Sequence, residues 1–274
     1  MISKERKILL LVEGKSTEVN LFSRIIDCFP EIDIKKDNII VYNTNLFALN
    51  QSLIKEFGNE WNEEEIDFLS FLKSSPNTKG QITNLKNYTS GVDISDFKFT
   101  DIFLIFDYER QDPLFDTNRI KKMLSFWNES TENGLLYINY PMIEAYKHLK
   151  APLPDIGYLS KKCTCPMLFS KENKKNKYKQ VVGNESSFTD LNNYTRELFR
   201  NFVIHNLCKA STITKGTTDI SDSIAKQYWE NIDYNEILDV ENFYSNSKEY
   251  GFVYVLATCL FFIPEYNSKL IFEN

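Results

Sequence analysis

Several short signatures of nucleotide or acyl-transfer sites are missing from this 274-residue chain. No G-x-G-x-x-G and no G-x-x-x-x-G-K-[ST] occurs, so neither a dinucleotide fold nor a P-loop ATPase is indicated. Without a G-x-S-x-G elbow, serine-hydrolase chemistry of the α/β type has no anchor. Cysteine is limited to Cys28, Cys163, Cys165, Cys208 and Cys259. That odd number, without a framework spacing, argues for a reducing compartment rather than a disulfide scaffold. Cys163-Thr164-Cys165 is a C-x-C with no second Cys or His pair to complete a zinc site. The longest apolar run, Phe252 to Ile263, is too short to span a bilayer. Met1 to Lys7 leads into a short strand-like segment instead of a signal peptide. The expectation is a cytoplasmic protein with no membrane association. An excess of positive charge is missing too, since the net charge is −6. This weakens the idea of a broad basic surface that grips nucleic acid by counterion release, but a local basic patch is compatible with it.

What is present is ample apolar material. At 42% apolar and 14% aromatic residues, the chain can build one large domain, or one domain with a sizeable appendage. Ile8-Leu9-Leu10-Leu11-Val12 reads as a buried parallel strand. It runs directly into Glu13 and Gly14, and then into an amphipathic pattern carried by Val19, Phe22, Ile25, Ile26 and Phe29, which Pro30 ends. In open α/β sheets ligands collect just past the carboxyl ends of strands, which makes Glu13 a chemical candidate. Asp101-Ile102-Phe103-Leu104-Ile105-Phe106 repeats the grammar and ends in Asp107-Tyr108-Glu109. Residues two apart on an extended backbone project to one side, so Asp107 and Glu109 are expected on one face. If the two strands are parallel neighbours, Glu13, Asp107 and Glu109 converge. Three hard oxygen donors without Cys or His suit Mg²⁺ or Mn²⁺.

Other stretches complete a βα alternation. Asn38–Tyr42 reads as a strand, residues 46–73 carry helical periodicity, and Ile120, Met123, Leu124 and Trp127 form a helical stripe. Ser74–Ser95 reads as an exposed loop, and Leu135–Asn139 as a further short strand. Pro141 suits the first turn of a helix carrying Glu144, Lys147 and His148. From residue 151 the pattern becomes predominantly helical, with helices expected over Leu191–Leu207, Ile220–Trp229 and Tyr250–Phe262.

The stretches LLLVEGKSTE and IFLIFDYE resemble the Toprim fold, the metal-dependent catalytic domain of topoisomerases, primases and nucleases of the overcoming-lysogenization-defect (OLD) type. Leu135–Ala145 resembles a later strand-to-helix junction of stand-alone Toprim proteins from anti-phage systems, the RloB group and the PARIS effector nuclease among them. The motifs cover roughly residues 6–150. The resemblance implies an α/β fold with a mainly parallel, helix-flanked sheet over residues 1–150 and a mainly helical extension over 151–274. It implies a Mg²⁺- or Mn²⁺-dependent nuclease acting on tRNA, other RNA or DNA as a toxic effector in defence. Glu13, Asp107 and Glu109 would be metal ligands and catalytic residues, with Glu144 as an added ligand. Glu109 stands where the family has aspartate. OLD-type nucleases act with an ATPase, so without a P-loop here the ATPase would be a separate ABC- or OLD-type subunit. Self-association as a homodimer stays open.

Competing readings attach to several residues. Lys15 is either a solvated lysine or a charge that balances phosphate in catalysis, and Glu18 either a partner of Lys15 one turn away or a further ligand. His148 is either a general acid or base or structural, and His205 reads as structural. The segment 161–179 carries Lys161, Lys162, Lys171, Lys174, Lys175, Lys177 and Lys179, either as a solvated face or as a docking strip for nucleic-acid phosphates. Two functions compete with the nuclease: a non-catalytic Toprim-fold regulatory subunit of an ATPase complex, and an enzyme acting on small nucleotides.

Overall fold

The computed structural model describes residues 7–34, 36–76, 78, 99–164, 177–247 and 251–273. The chain divides into two compact units, one of residues 1–107 and 114–137, the other of 108–113 and 138–274.

The first unit is organised by a sheet. Strand β1 (Ile8–Val12) and strand β3 (Asp101–Asp107) are buried along their whole length, as is β5 (Gly134–Asn139). Such continuous apolar runs can be buried only where both faces are covered. With β2 (Ile39–Val41) and β4 (Asn128–Glu129) the sheet has the order β2-β1-β3-β5-β4. β1 is parallel to both β2 and β3, pairing Leu10 with Ile39 and Val12 with Ile105. β4 is an antiparallel edge on β5. The fold is therefore α/β with a mainly parallel five-stranded sheet.

The helices follow from their stripes and caps. Helix α1 (Thr17–Cys28) buries Leu21, Phe22 and Ile25 at helical spacing. The 46–73 periodicity splits into α2 (Leu46–Phe57), a 3₁₀ turn over Trp61–Glu63, and α3 (Phe68–Ser74). Gly58 (φ 89°) breaks the run, and Asn45 and Asp67 cap the two helices by accepting from the Ala48 and Ser70 N–H groups. Helix α4 (Thr117–Phe126) starts at the Asp116 cap. Trp61, Phe68, Phe126 and Trp127 pack with centroids 4.9–5.7 Å apart, and the Trp61 indole N–H donates to Asn50. Of the expected loop at 74–95, all but a few residues lie outside the described chain.

The second unit is mainly helical around a small ribbon. It holds α5 (Lys177–Glu185), α6 (Arg196–Lys215), α7 (Asp222–Trp229), α8 (Tyr234–Asn246), α9 (Phe262–Tyr266) and α10 (Lys269–Phe272). β6 (Lys162–Thr164) and β7 (Phe252–Tyr254) pair antiparallel. Two expectations are corrected here. The helix expected over Tyr250–Phe262 is β7, a 3₁₀ turn over Thr258–Phe261 and the start of α9. Gly251 (φ 51°) turns the chain, and the Val255 N–H donates to the Lys161 carbonyl, extending the ribbon. The helix expected after Pro141 is a 3₁₀ turn over Ile143–Lys147.

Candidate metal centre

The site begins with what the sheet does to two strand ends. The Glu13 N–H donates to the Ile105 carbonyl (3.2 Å), continuing the β1–β3 ladder one residue beyond β1. The Glu13 carbonyl in turn accepts from the Asn43 N–H at 3.0 Å. Glu13 is thus pinned on both sides as the chain leaves the core. Its carboxylate Oε2 accepts from the Asp107 N–H at 3.1 Å, which aims the side chain across the end of β3.

Asp107 closes β3 and is buried; Glu109 follows two residues later and is half-buried. The two share a face, but the cause is not strand alternation. Glu109 has φ 36°, a left-handed conformation that a side-chain-bearing residue adopts at a cost of order 1–3 kcal/mol. Its carbonyl accepts from the Asp112 N–H (2.9 Å), closing a tight turn, and the Gln111 side-chain amide donates to its carboxylate. Neighbouring residues anchor the same turn: the Tyr108 hydroxyl lies 3.4 Å from Ser245 Oγ, and the Arg110 guanidinium donates to the Asn246 side chain. Burial, helped by the charge of Asp112, pushes the Glu109 carboxyl above its usual range.

The outcome is that Glu13, Asp107 and Glu109 each offer a carboxylate oxygen, all within 4.8 Å of one another. Ligand bonds to hard divalent cations run about 2.0–2.6 Å, so oxygens at this mutual spacing can face one ion. The donor set is all-oxygen, with neither thiolate nor imidazole, a chemistry that suits hard divalent cations. A close set of carboxylates, one of them strained, is electrostatically unfavourable without a counter-charge. The residues fit a divalent cation.

The other expected site residues behave differently. Lys15 is exposed at the turn between β1 and α1. Glu18 is buried, and its carboxylate folds back onto Gly14, where a Cβ would meet the Glu18 oxygens at 2.7 and 2.8 Å. The bare Gly14 backbone leaves room for this approach, and a Cβ there would displace the end of the Glu18 side chain. Glu144 is buried and not part of the three-carboxylate group, and its Oε1 accepts from Lys179 at 2.8 Å. Two residues expected in different roles, a metal ligand and a phosphate contact, thus pair with each other. Lys161 lies 3.3 Å from the Glu185 carboxylate, while Lys162 and Lys177 are exposed. Lys171, Lys174 and Lys175 lie outside the described residues. His148 is buried between the Tyr178 hydroxyl (3.1 Å) and Glu185 (3.2 Å), and His205 accepts from the Asp155 N–H at Nε2 (3.0 Å). Gln111, Asn43 and the Ser245–Asn246 anchors escaped sequence reasoning. Only Gln111, two residues past Glu109, left a local signal.

Comparison with family models, with curated proteins and with solved structures returned no match. Among the described residues, no helix is long and apolar enough to cross a membrane.

Proposed function

We propose that the chain is a divalent-metal-dependent phosphodiesterase of the Toprim type, cutting RNA such as tRNA, or DNA. The observation that carries this reading is the convergence of Glu13, Asp107 and Glu109 at the carboxyl ends of two adjacent parallel strands. Mg²⁺ or Mn²⁺ held there would supply Lewis acidity at the scissile phosphate and lower the pKa of water. The protein's own contribution is positioning. The Asp107 N–H orients Glu13, the strained turn with Gln111 orients Glu109, and exposed Lys15 is available to balance phosphate charge. By the resemblance of its motifs, the setting is anti-phage defence under a separate ABC- or OLD-type ATPase.

A regulatory subunit that keeps the fold without catalysis is the second reading, favoured by Glu109 in place of aspartate and by the acidic net charge. Incubation of labelled tRNA and plasmid with Mg²⁺ or Mn²⁺ separates the two. The wild type should cut, EDTA and Glu13→Ala should abolish cutting, and Glu109→Asp should retain much of it. Cutting by Glu13→Ala at the wild-type rate would sink the catalytic reading.

A further inference from the structure

An aromatic cluster that the metal centre does not use lies where helix α8 packs on the β6–β7 ribbon. In this antiparallel pair Lys162 sits opposite Tyr254 and Thr164 opposite Phe252, so these four side chains share one face, while Cys163 and Val253 face the core. Helix α8 adds Phe243 and Tyr244. Tyr244 stacks on Phe252 (4.8 Å, 21°), and Tyr254 meets both rings edge-on at 5.4 and 5.2 Å. Phe243 packs edge-on against Tyr244 (5.1 Å) yet is 63% exposed. The Lys162 ammonium lies 4.2 Å from the centre of the Phe252 ring.

A single exposed phenylalanine is ordinary. Here the ring contacts run from Phe243, open at the rim, through half-buried Tyr244 to buried Phe252, which carries the Lys162 ammonium over its ring. An acidic chain that displays a lysine beside half-exposed rings offers what an unpaired nucleotide needs: a π-face for the base and a cation for its phosphate. The placement also matters. Helix α8 ends in Ser245 and Asn246, the residues that contact Tyr108 and Arg110 on either side of Glu109. The exposed ring thus sits two residues from the anchors of the metal-centre turn. Asp239, one turn back on α8, is exposed and would repel phosphate, so a bound strand is expected to run from Phe243 toward Lys162.

We infer that Phe243, Tyr244, Tyr254 and Lys162 form a stacking platform for the unpaired bases of single-stranded nucleic acid. This deepens the nuclease reading and rests on it for its biological setting, but the binding is testable without cleavage. The experiment titrates full-length protein, in EDTA, into fluorescently labelled single-stranded oligoadenylate and into a duplex of equal length, reading anisotropy.

Phe243→Ala should weaken single-strand binding about tenfold, the scale of losing one stacked base, with little effect on the duplex. Phe243→Trp should preserve binding, and Phe243→Leu should behave like alanine because it keeps apolar area but no π-face. Single-strand affinity unchanged in Phe243→Ala, or fully kept in Phe243→Leu, overturns the platform, as does a wild type that binds no single strand. A concentration-dependent dimer lost in Phe243→Ala during sedimentation would assign the face to a second copy instead. An intact Glu13-dependent cleavage with no effect of these variants removes the platform and leaves the nuclease reading standing. Single-strand binding without metal-dependent cleavage does the reverse.

Discussion

His148 is held at both ring nitrogens. A carboxylate only accepts, so Nε2 donates to Glu185 and Nδ1 accepts from the Tyr178 hydroxyl. Burial, with the nearby charge of Lys161, depresses its pKa to about 4 despite the opposing pull of Glu185. The unfolded chain takes up a proton near the ordinary value of 6.5, so stability is intact above that pH and falls as pH drops toward 4. The loss should be on the order of 3 kcal/mol. Urea titrations across this range should show a slope that is reduced in His148→Gln. An identical slope in the variant would assign the acid sensitivity to other groups. Lys209 on α6 shows a similar tension. Burial pulls its pKa down to about 7, yet its ammonium donates to the Tyr158 and Lys161 carbonyls at 2.7 and 2.5 Å and lies over the Tyr158 and Tyr254 rings. Glu241, fully buried and pushed well above the carboxylate range, accepts from the Tyr254 N–H. Both residues therefore brace the ribbon.

At the level of elements, Gly134 shows how tightly the sheet constrains its turns. It opens β5 at φ 118°, and a Cβ there would lie 2.8 Å from Leu104 Cδ1 and 3.3 Å from the Ile102 carbonyl. Gly134→Ala should cost roughly 1–3 kcal/mol from backbone strain and overpacking. Gly183, inside α5, faces open space, so Gly183→Ala should be neutral or gain up to about 1 kcal/mol of helix propensity. Thermal melts should place Gly134→Ala below the wild type and Gly183→Ala at or above it; a Gly134→Ala melt at or above the wild type would refute the strain. The same scale explains the 250–262 misreading. A segment buried on nearly every side shows no face preference, so periodicity does not separate strand from helix. Pairing with Lys162–Thr164, nearly 90 residues away, made the difference.

For the whole molecule, the carboxylate cluster sets a balance between stability and cation binding. A cation that binds only the folded state stabilises by RT ln(1 + [L]/Kd), about 2.7 kcal/mol at one hundred times Kd. Mg²⁺ or Mn²⁺ should therefore raise the melting temperature of the wild type. Glu13→Ala should melt at the same temperature as the wild type or slightly higher without metal, since truncation at the end of β1 relieves repulsion, and should lose the metal response. A Glu13→Ala protein that gains as much from Mg²⁺ as the wild type would place the cation elsewhere.

Read along the chain, Ile8–Val12 and Ile102–Phe106 announced buried strands because each is a short, largely branched apolar run that ends directly in acidic residues. Their acidic ends identified Glu13, Asp107 and Glu109, since polar residues that closely follow such runs lie at a sheet edge. The caps Asn45, Asp67, Asp116 and Thr195 went unmarked in the sequence pattern, although each accepts from an N–H within the next turn. What local pattern could not encode was how those parts meet. Register across the β1–β3 pair placed Glu13 against the Asp107 N–H. A left-handed turn at Glu109, braced from α8, set the third carboxylate. The pairing of Lys179 with Glu144 and the aromatic face shared by Lys162 and Tyr254 likewise came from tertiary contact. Composition and periodicity are properties of neighbours in sequence, whereas these contacts join residues tens of positions apart, which only the packed fold brings together.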